Sequence, residues 1–205
     1  GLSVAAVAVP QAMAYAMNVE ELIDVVWRGN AQPAGSIVPP VTNTDEAPWS
    51  DLSLTPTPYD PVKANQILDD AGYELGGDGV RVTPDGDRMS YDLLDPELTD
   101  GSRIARLLEG YFAEVGIEIQ HKPLDSGAVW EAIIKDDYRD FDLAMWNWVP
   151  LIDPDFILSV MLCTEFGNWN DSGYCNEEYD ELYALQGSQV DVQLDAGFNV
   201  VGSED

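Results

Sequence analysis

The residues best suited to chemistry lie between Phe141 and Cys175, in the stretch FDLAMWNWVPLIDPDFILSVMLCTEFGNWNDSGYC. Trp146, Trp148 and Trp169 offer flat apolar faces, Asn168 and Tyr174 offer hydrogen-bonding groups, and Asp153 and Asp155 offer carboxylates. Aromatic walls with a few polar groups make up a small-ligand cleft, so Trp146, Trp148, Asp153, Asn168, Trp169 and Tyr174 form the candidate binding set. A core role is the alternative for any one tryptophan. Asp153 and Asp155 also admit a hydrolase reading, in which two acids flank a glycosidic or peptide bond. Helix chemistry accounts for the same pair: Asp153 as N-cap, Pro154 at the first helical position, and acids at the positive end of the macrodipole. No catalytic residue is assigned.

Other chemistries lack their residues. The single histidine, His121, lies in a strand-like run and admits neither a multi-histidine metal cluster nor a Ser-His-Asp set. No glycine-rich phosphate loop follows a strand. Asp78, Asp85 and Asp87 miss the spacing of a calcium loop and read as turn residues. Neither a metal nor a cofactor is expected. Cys163 and Cys175 bracket a Gly- and Asn-rich loop; in an exported protein they would form a disulfide worth about 3 kcal/mol, and two free buried thiols are the alternative.

Charge narrows the partners. The 205 residues carry 38 acids against 9 bases, a net charge of −29, spread along the whole chain. Phosphate contacts need Lys and Arg, so a nucleic-acid partner is excluded, and anionic lipid headgroups are repelled. Such self-repulsion suits a protein working in concentrated salt, where the screening length falls to about 3 Å at 1 M. No apolar run is long enough to span a membrane, and residues 1–9 lack the basic start of a signal peptide.

The elements that must position the candidate set follow from pattern. Pro10 to Met17 reads as a helix with Pro in its first turn. Asn18 caps a second helix, with Glu21 completing a capping box, Leu22, Ile23, Val25, Val26 and Trp27 as its buried side and Gly29 as its stop. Residues 31–58 form a Pro-rich surface loop, with an interdomain linker as the alternative. Asp60 and Pro61 open a helix that Gly72 ends. Val80 to Thr83 and Met89 to Leu94 make a hairpin around Pro84-Asp85-Gly86. Ser102 to Val115 is an amphipathic helix, Ile117 to Leu124 a strand, Ser126 to Ile134 a helix, and Phe141 to Trp148 a strand that places Trp146 and Trp148 on one face. A short helix runs from Asp153 to Leu162, and Asn176 caps a last one, Glu177 to Gln186, with Tyr179, Leu182 and Tyr183 inward. The order β-α-β-α-β implies an α/β fold with an open, mostly parallel sheet and flanking helices. Ligands on such sheets sit beyond the carboxyl ends of the strands, where Trp146 and Trp148 fall. Residues 1–186 are expected to form one domain and 187–205 a tail of unassigned structure.

Several motifs, in order, resemble the solute-binding proteins of ABC importers of the peptide, dipeptide and nickel type, over about Val9 to Leu185. They are Gln11-Ala12-Met13-Ala14-Tyr15-Ala16, Gly29-Asn30-Ala31-Gln32-Pro33-Ala34, Tyr59-Asp60-Pro61-Val62-Lys63-Ala64 with Ala71-Gly72-Tyr73, and Phe141-Asp142-Leu143-Ala144. Asn168-Trp169 and Tyr174-Cys175-Asn176-Glu177-Glu178-Tyr179 complete the set. The resemblance implies one lobe of a type II periplasmic-binding-protein fold, mostly the C-terminal lobe, with the N-terminal lobe outside this chain. It further implies a non-enzymatic, extracellular or cell-surface subunit that captures a small solute such as an oligopeptide for a membrane permease, held there by the transporter or by a lipid anchor. Two departures stand out. Pro10 replaces the family's usual Arg, and no carboxylate follows Trp148 before Asp153, where peptide binders place the Asp that anchors the ligand's α-amino group. A salt-adapted interaction domain without a small ligand is the reading from a different class.

Overall fold

The computed structural model describes residues 4–42, 49–97, 99–134, 141–151, 153–188, 192–194 and 200–203. Residues 43–48 of the Pro-rich segment and Val190 of the tail lie outside the described residues. Two compact units emerge: one within Gly1–Pro33, Pro56–Ala132 and Asp140–Trp146, the other within Ala34–Thr55, Ile133–Arg139 and Asn147–Asp205.

In the first unit, α1 (Val4–Ala16) buries Ala8, Ala12 and Ala16, one row at four-residue spacing. Their small side chains let it lie close against α3 (Pro61–Asp70), which buries Ala64 and Leu68. The expected start at Pro10 is corrected, because Pro10 lies inside the helix. Proline there forfeits one backbone bond, while the buried row extends past it to Ala8. Between them α2 (Val19–Trp27) starts as expected, the Asn18 side chain accepting from the Glu21 N–H at 3.1 Å. Its buried side is narrower than the sequence implies. Val26 is buried, but Val25 and Trp27 are 46% and 39% exposed, since nine residues present only one face to the rest of the unit. Asp60 caps α3 through the Lys63 N–H at 2.9 Å, with Pro61 in the first turn.

The hairpin expectation holds at the turn and fails in the sheet. Thr83 and Asp87 close the Pro84-Asp85-Gly86 turn, and Val82 bridges Arg88. The first arm, β2 (Arg81–Val82), pairs instead with β1 (Glu74–Leu75), and the second, β3 (Ser90–Asp95), enters a parallel sheet. Burial explains the switch: Leu93, Leu94 and Asp95 are buried, which a free hairpin arm would not achieve.

From β3 the chain crosses over α4 (Gly101–Ala113) to β4 (Glu118–Pro123), then over α5 (Ser126–Ile133) to β5 (Leu143–Ala144). Strand order is β4-β3-β5 and both pairings are parallel, as the β-α-β-α-β pattern requires. Six residue pairs join β3 to β4, Ser90↔Glu118 through Asp95↔Pro123, but only two join it to β5. Ala105, Leu108, Tyr111 and Phe112 of α4 build the core with Met89, Leu93, Val115, Ile117 and Ile119. Gly101 is obligatory at the start of α4, because a Cβ there would lie 2.3 Å from Asp95 Oδ1.

Buried Arg81 rivets this unit. Its Nε donates to Val115 O at 2.8 Å, Nη1 to Asp69 Oδ1 at 2.6 Å and Tyr73 O at 2.5 Å, and Nη2 to Asn65 Oδ1 at 2.7 Å. One guanidinium fork thereby satisfies acceptors on α3, on the segment after it, and at the end of α4.

In the second unit, the backbone at Gly35 comes so close to Leu54 that a Cβ would sit 2.1 Å from its carbonyl oxygen. A short turn of 3-10 helix covers Pro40–Thr42. The helix expected from Asp153 to Leu162 is only α6 (Asp155–Ser159), followed by a 3-10 turn at Cys163–Glu165. In α7 (Glu177–Ser188), Asn176 accepts from the Glu178 N–H at 3.0 Å, and Tyr179 and Tyr183 are half-buried. Leu182, expected inward, is 59% exposed. The tail contributes an antiparallel pair, β6 (Val192–Leu194) and β7 (Val200–Ser203). No helix among the described residues is long and apolar enough to cross a membrane.

Candidate functional site

The tryptophan strand is shorter than its alternation implies. Pairing stops after the Met145 N–H bonds Leu94 O at 2.8 Å, so residues 146–148 are not strand and share no sheet face. Trp146 belongs to the first unit, where it stacks on Trp130 at 5.3 Å with ring planes 29° apart. Trp148 belongs to the second. This corrects the expectation that the two tryptophans form one wall by strand periodicity. Without a ladder there is no period of two to hold them in phase.

Trp148 instead joins Phe156 and Trp169. The three rings meet edge to face, Trp148–Phe156 at 5.7 Å, Trp148–Trp169 at 5.8 Å and Phe156–Trp169 at 5.9 Å, with planes 75–77° apart. This geometry places the positive edge of each ring against the negative face of another. Trp148 Nε1 donates to Asp171 Oδ2 at 3.2 Å, which orients the indole. Trp169 keeps 38% of its surface exposed. Phe156 reaches the trio because α6 begins just before it; Asp153 Oδ1 accepts the Asp155 N–H at 3.0 Å, while Pro154, not Asp153, occupies the cap position.

The loop bearing Trp169 is fixed locally. Cys163 and Cys175 are disulfide-bonded with Cα atoms 4.6 Å apart, which resolves the alternative left open by the sequence. Asn170, fully buried, is the organiser that sequence reading missed. Its Nδ2 donates to Leu162 O at 3.0 Å and Tyr174 O at 2.6 Å, and its Oδ1 accepts from the Gly173 N–H at 2.9 Å and Ser172 Oγ at 3.1 Å. The signal was present in Asn170-Asp171-Ser172-Gly173, a run typical of side-chain-closed turns. Asn168 Nδ2 donates to Glu165 Oε2 at 2.6 Å. Tyr174 meets Tyr179 edge-on at 6.2 Å and leaves 45% of its surface exposed. Two tyrosines attach α7: Tyr179 Oη donates to Leu158 O at 2.6 Å and Tyr183 Oη to Asp155 Oδ1 at 3.0 Å. Burial is the main cause that pushes both phenols above their ordinary pKa, keeping them protonated as donors.

A second buried polar pair closes the carboxyl end of the sheet. Asp95, the last residue of β3, is 1% exposed, and its Oδ2 lies 2.8 Å from His121 Nε2 of β4. His121 is therefore tied to a carboxylate between neighbouring strands, and the Leu124 N–H bonds Asp95 O at 2.8 Å beside it. Among the described residues no group of three or more His, Cys, Asp or Glu side chains could hold a metal ion.

The profile described as bacterial extracellular solute-binding proteins, family 5 Middle, matches residues 4–169. The chain is 27% identical over 184 residues to the glutathione-binding protein GsiB of Shigella flexneri, covering 86% of this chain and 32% of that protein. It is also 27% identical over 177 residues to di/tripeptide-binding protein 3 of Pseudomonas aeruginosa, covering 85% and 30%. The fold resembles the oligopeptide-binding protein AppA of Bacillus subtilis, solved with a nonapeptide (TM-score 0.77, 24% identity, 90% of this chain and 36% of that one). NikZ of Campylobacter jejuni, solved with Ni(L-His), is similar too (TM-score 0.73, 20% identity, 90% and 36%). The chain thus spans about a third of the length of its curated relatives. Its open α/β sheet with flanking helices is that of type II periplasmic binding proteins. The chain belongs to the family 5 bacterial extracellular solute-binding proteins.

Proposed function

We propose that this chain is most of one lobe of a solute-binding subunit that captures small solutes, such as oligopeptides, for an ABC importer, with a second lobe completing the cleft. It acts outside the cell, at the surface, joined to a membrane permease and anchored by that transporter or a lipid. The observation that carries the reading is the Trp148–Phe156–Trp169 trio, whose Trp169 stands on the disulfide-fixed loop and is partly exposed. Exposed aromatic surface that is already ordered binds without paying to freeze side chains first. Trp169, Asn168 and Tyr174 supply the wall from this loop, with Trp148 packed against Trp169 and Asp153 at the start of α6; Trp146, in the first unit, is a separate candidate contact. Asp153 and Asp155 act here as structural carboxylates, engaged by the Asp155 N–H and by Tyr183, rather than as a hydrolytic pair.

Charge refines the solute. From Phe141 to Asp205 the sequence has no Lys, Arg or His, so an anionic group of the solute finds no cationic partner in this segment. The loop favours neutral or cationic parts of a ligand, which aromatic faces also attract. A cationic partner for a solute carboxylate has to come from outside this segment.

The test is thermal unfolding of the two-lobe protein, in molar salt, against dipeptides, longer peptides, glutathione, oligosaccharides and nickel chelates. A ligand at ~100 times its Kd should add about 2.7 kcal/mol and raise Tm. Trp169→Ala should reduce that rise. No rise with any member of the panel overturns the reading in favour of an interaction domain; consumption of a peptide or sugar, lost on changing Asp153 or Asp155, replaces it with the hydrolase. The acidic surface is read as an adaptation to salt, and equal stability at low and molar salt would remove that part.

A further inference from the structure

The first unit contains a cavity that the solute-capture reading does not use. Gln11, Ala14 and Tyr15 of α1, Thr57, and Lys63 and Ile67 of α3 line a space of about 410 Å³. Ala14 and Ile67 are apolar, Gln11, Tyr15 and Thr57 carry neutral hydrogen-bonding groups, and Lys63 is the one charge. Among the described residues no carboxylate lines it.

Such a lining runs against the composition of the chain, which has 38 acids to 9 bases. Arg81 meets Asp69, Arg88 meets Asp78 and Glu118, Arg103 meets Asp100, and Lys122 meets Asp92. Among the described residues Lys63 has no carboxylate within 4.0 Å, a state shared by Arg28 and Arg106, and all three side chains are exposed. Its ammonium instead stands 4.4 Å from the centroid of the Tyr15 ring. The nearest acid in sequence, Asp60, uses Oδ1 on the Lys63 backbone N–H, which turns it toward the helix start. A hydrogen bond with Tyr15 is the first cause that raises the Lys63 pKa, so the group is charged at neutral pH. A cation held over an aromatic face, neutral donors and an apolar floor thus border one open space.

We propose that this cavity binds a small organic carboxylate with an apolar body. The carboxylate lies on Lys63 Nζ, with the Gln11 amide and Thr57 hydroxyl as further donors, and the body packs on Ala14, Ile67 and Tyr15. The volume lies within the range of small-molecule sites, about 300–1,000 Å³. Charge-assisted bonds to a carboxylate are the strong ones available, and the apolar floor distinguishes such a ligand from a bare inorganic anion.

The probe is phenylacetate, titrated into the ¹⁵N-labelled chain while amide shifts are followed. Saturable shifts at Ala14, Lys63 and Ile67 are expected. Lys63→Met should weaken binding by at least about tenfold, the loss of one charge-assisted bond, while Lys63→Arg keeps most of it. Phenylacetamide, the neutral isostere, should give no saturable shift, and inorganic phosphate should bind more weakly than phenylacetate. Lys63→Met leaves the backbone cap with Asp60 in place, and an unchanged spectrum elsewhere checks its fold. Absence of saturable shifts, equal binding of phenylacetamide, equal binding by Lys63→Met, or shifts centred on Arg28 or Arg106 would each overturn the proposal. Trp169→Ala should leave this binding unchanged, so its failure and that of the solute-capture reading are separable.

Discussion

Arg81 bonds to groups 8, 12, 16 and 34 residues away in sequence, whereas the Asn170 side chain bonds to groups 2, 3, 4 and 8 residues away. The same contrast runs through the two units. The first joins distant segments by parallel strands and one buried guanidinium; the second closes its loop with a disulfide between residues 12 apart and an amide beside it. Long-range contacts are costly to assemble and fail together, while local ones hold one loop and fail alone. The sheet unit should therefore melt as a block, and the tryptophan loop should loosen without it.

Arg81→Met tests the block most severely. It strands the carbonyls of Tyr73 and Val115 at a buried site, at about 1–3 kcal/mol each, so a loss of about 2–6 kcal/mol is expected. Urea unfolding followed by circular dichroism measures it; a loss below about 1 kcal/mol, the net worth of one ordinary hydrogen bond, would mean the rivet is dispensable.

Replacing Cys163 and Cys175 by Ser should cost about 3 kcal/mol of loop stability by chain entropy. Tryptophan fluorescence should change at lower denaturant than the helical signal, whereas coincident transitions would erase the contrast between units. Asn170→Ala is a milder version, expected at about 2 kcal/mol because Leu162 O, Tyr174 O and the Gly173 N–H lose their partner. Amide exchange should quicken at Gly173 and not in β3. Faster exchange in both would contradict local failure.

The smallest effect is a pH slope at the sheet's edge. Hydrogen bonds from Arg88, and then Ser90, hold the Glu118 carboxyl at about 2, against an ordinary 4.5. Between those values the unfolded chain binds more protons, so this contribution is complete above about 4.5 and lost as pH falls through about 2. Glu118→Gln should flatten that part of the stability–pH curve, and an unchanged slope would assign it to other acids.

Much of the sheet unit was legible because local chemistry and global pattern agree there. Asn18 and Asp60 cap their helices through the N–H groups that their types predict, and strand-helix-strand spacing admits only parallel pairing. What escaped depended on partners the sequence does not announce. Pro10 reads as a start signal until the buried alanine row is seen to continue past it to Ala8. Trp146 and Trp148 alternate like strand residues, yet no neighbouring strand extends that far to pair them. Asn170 sits among surface-type residues and is buried only because the chain folds around its amide. The loop's bridge was open between two states by sequence, and closeness of the two cysteines decided it.

The central strand of the sheet is also the first made. A chain emerging from its N-terminus can pair β3 with β4 as soon as Pro123 has emerged, but the other edge of β3 stays bare until Leu143 has emerged. During that interval its free N–H and C=O groups are a template for strands of neighbouring chains. Asp92 and Asp95 stand in that strand, and charge within a strand is a barrier to such pairing. When β5 arrives, the Asp92 N–H is taken by Asp142 Oδ2 at 2.9 Å, and the vulnerable edge is sealed by the residue just before the strand that closes it.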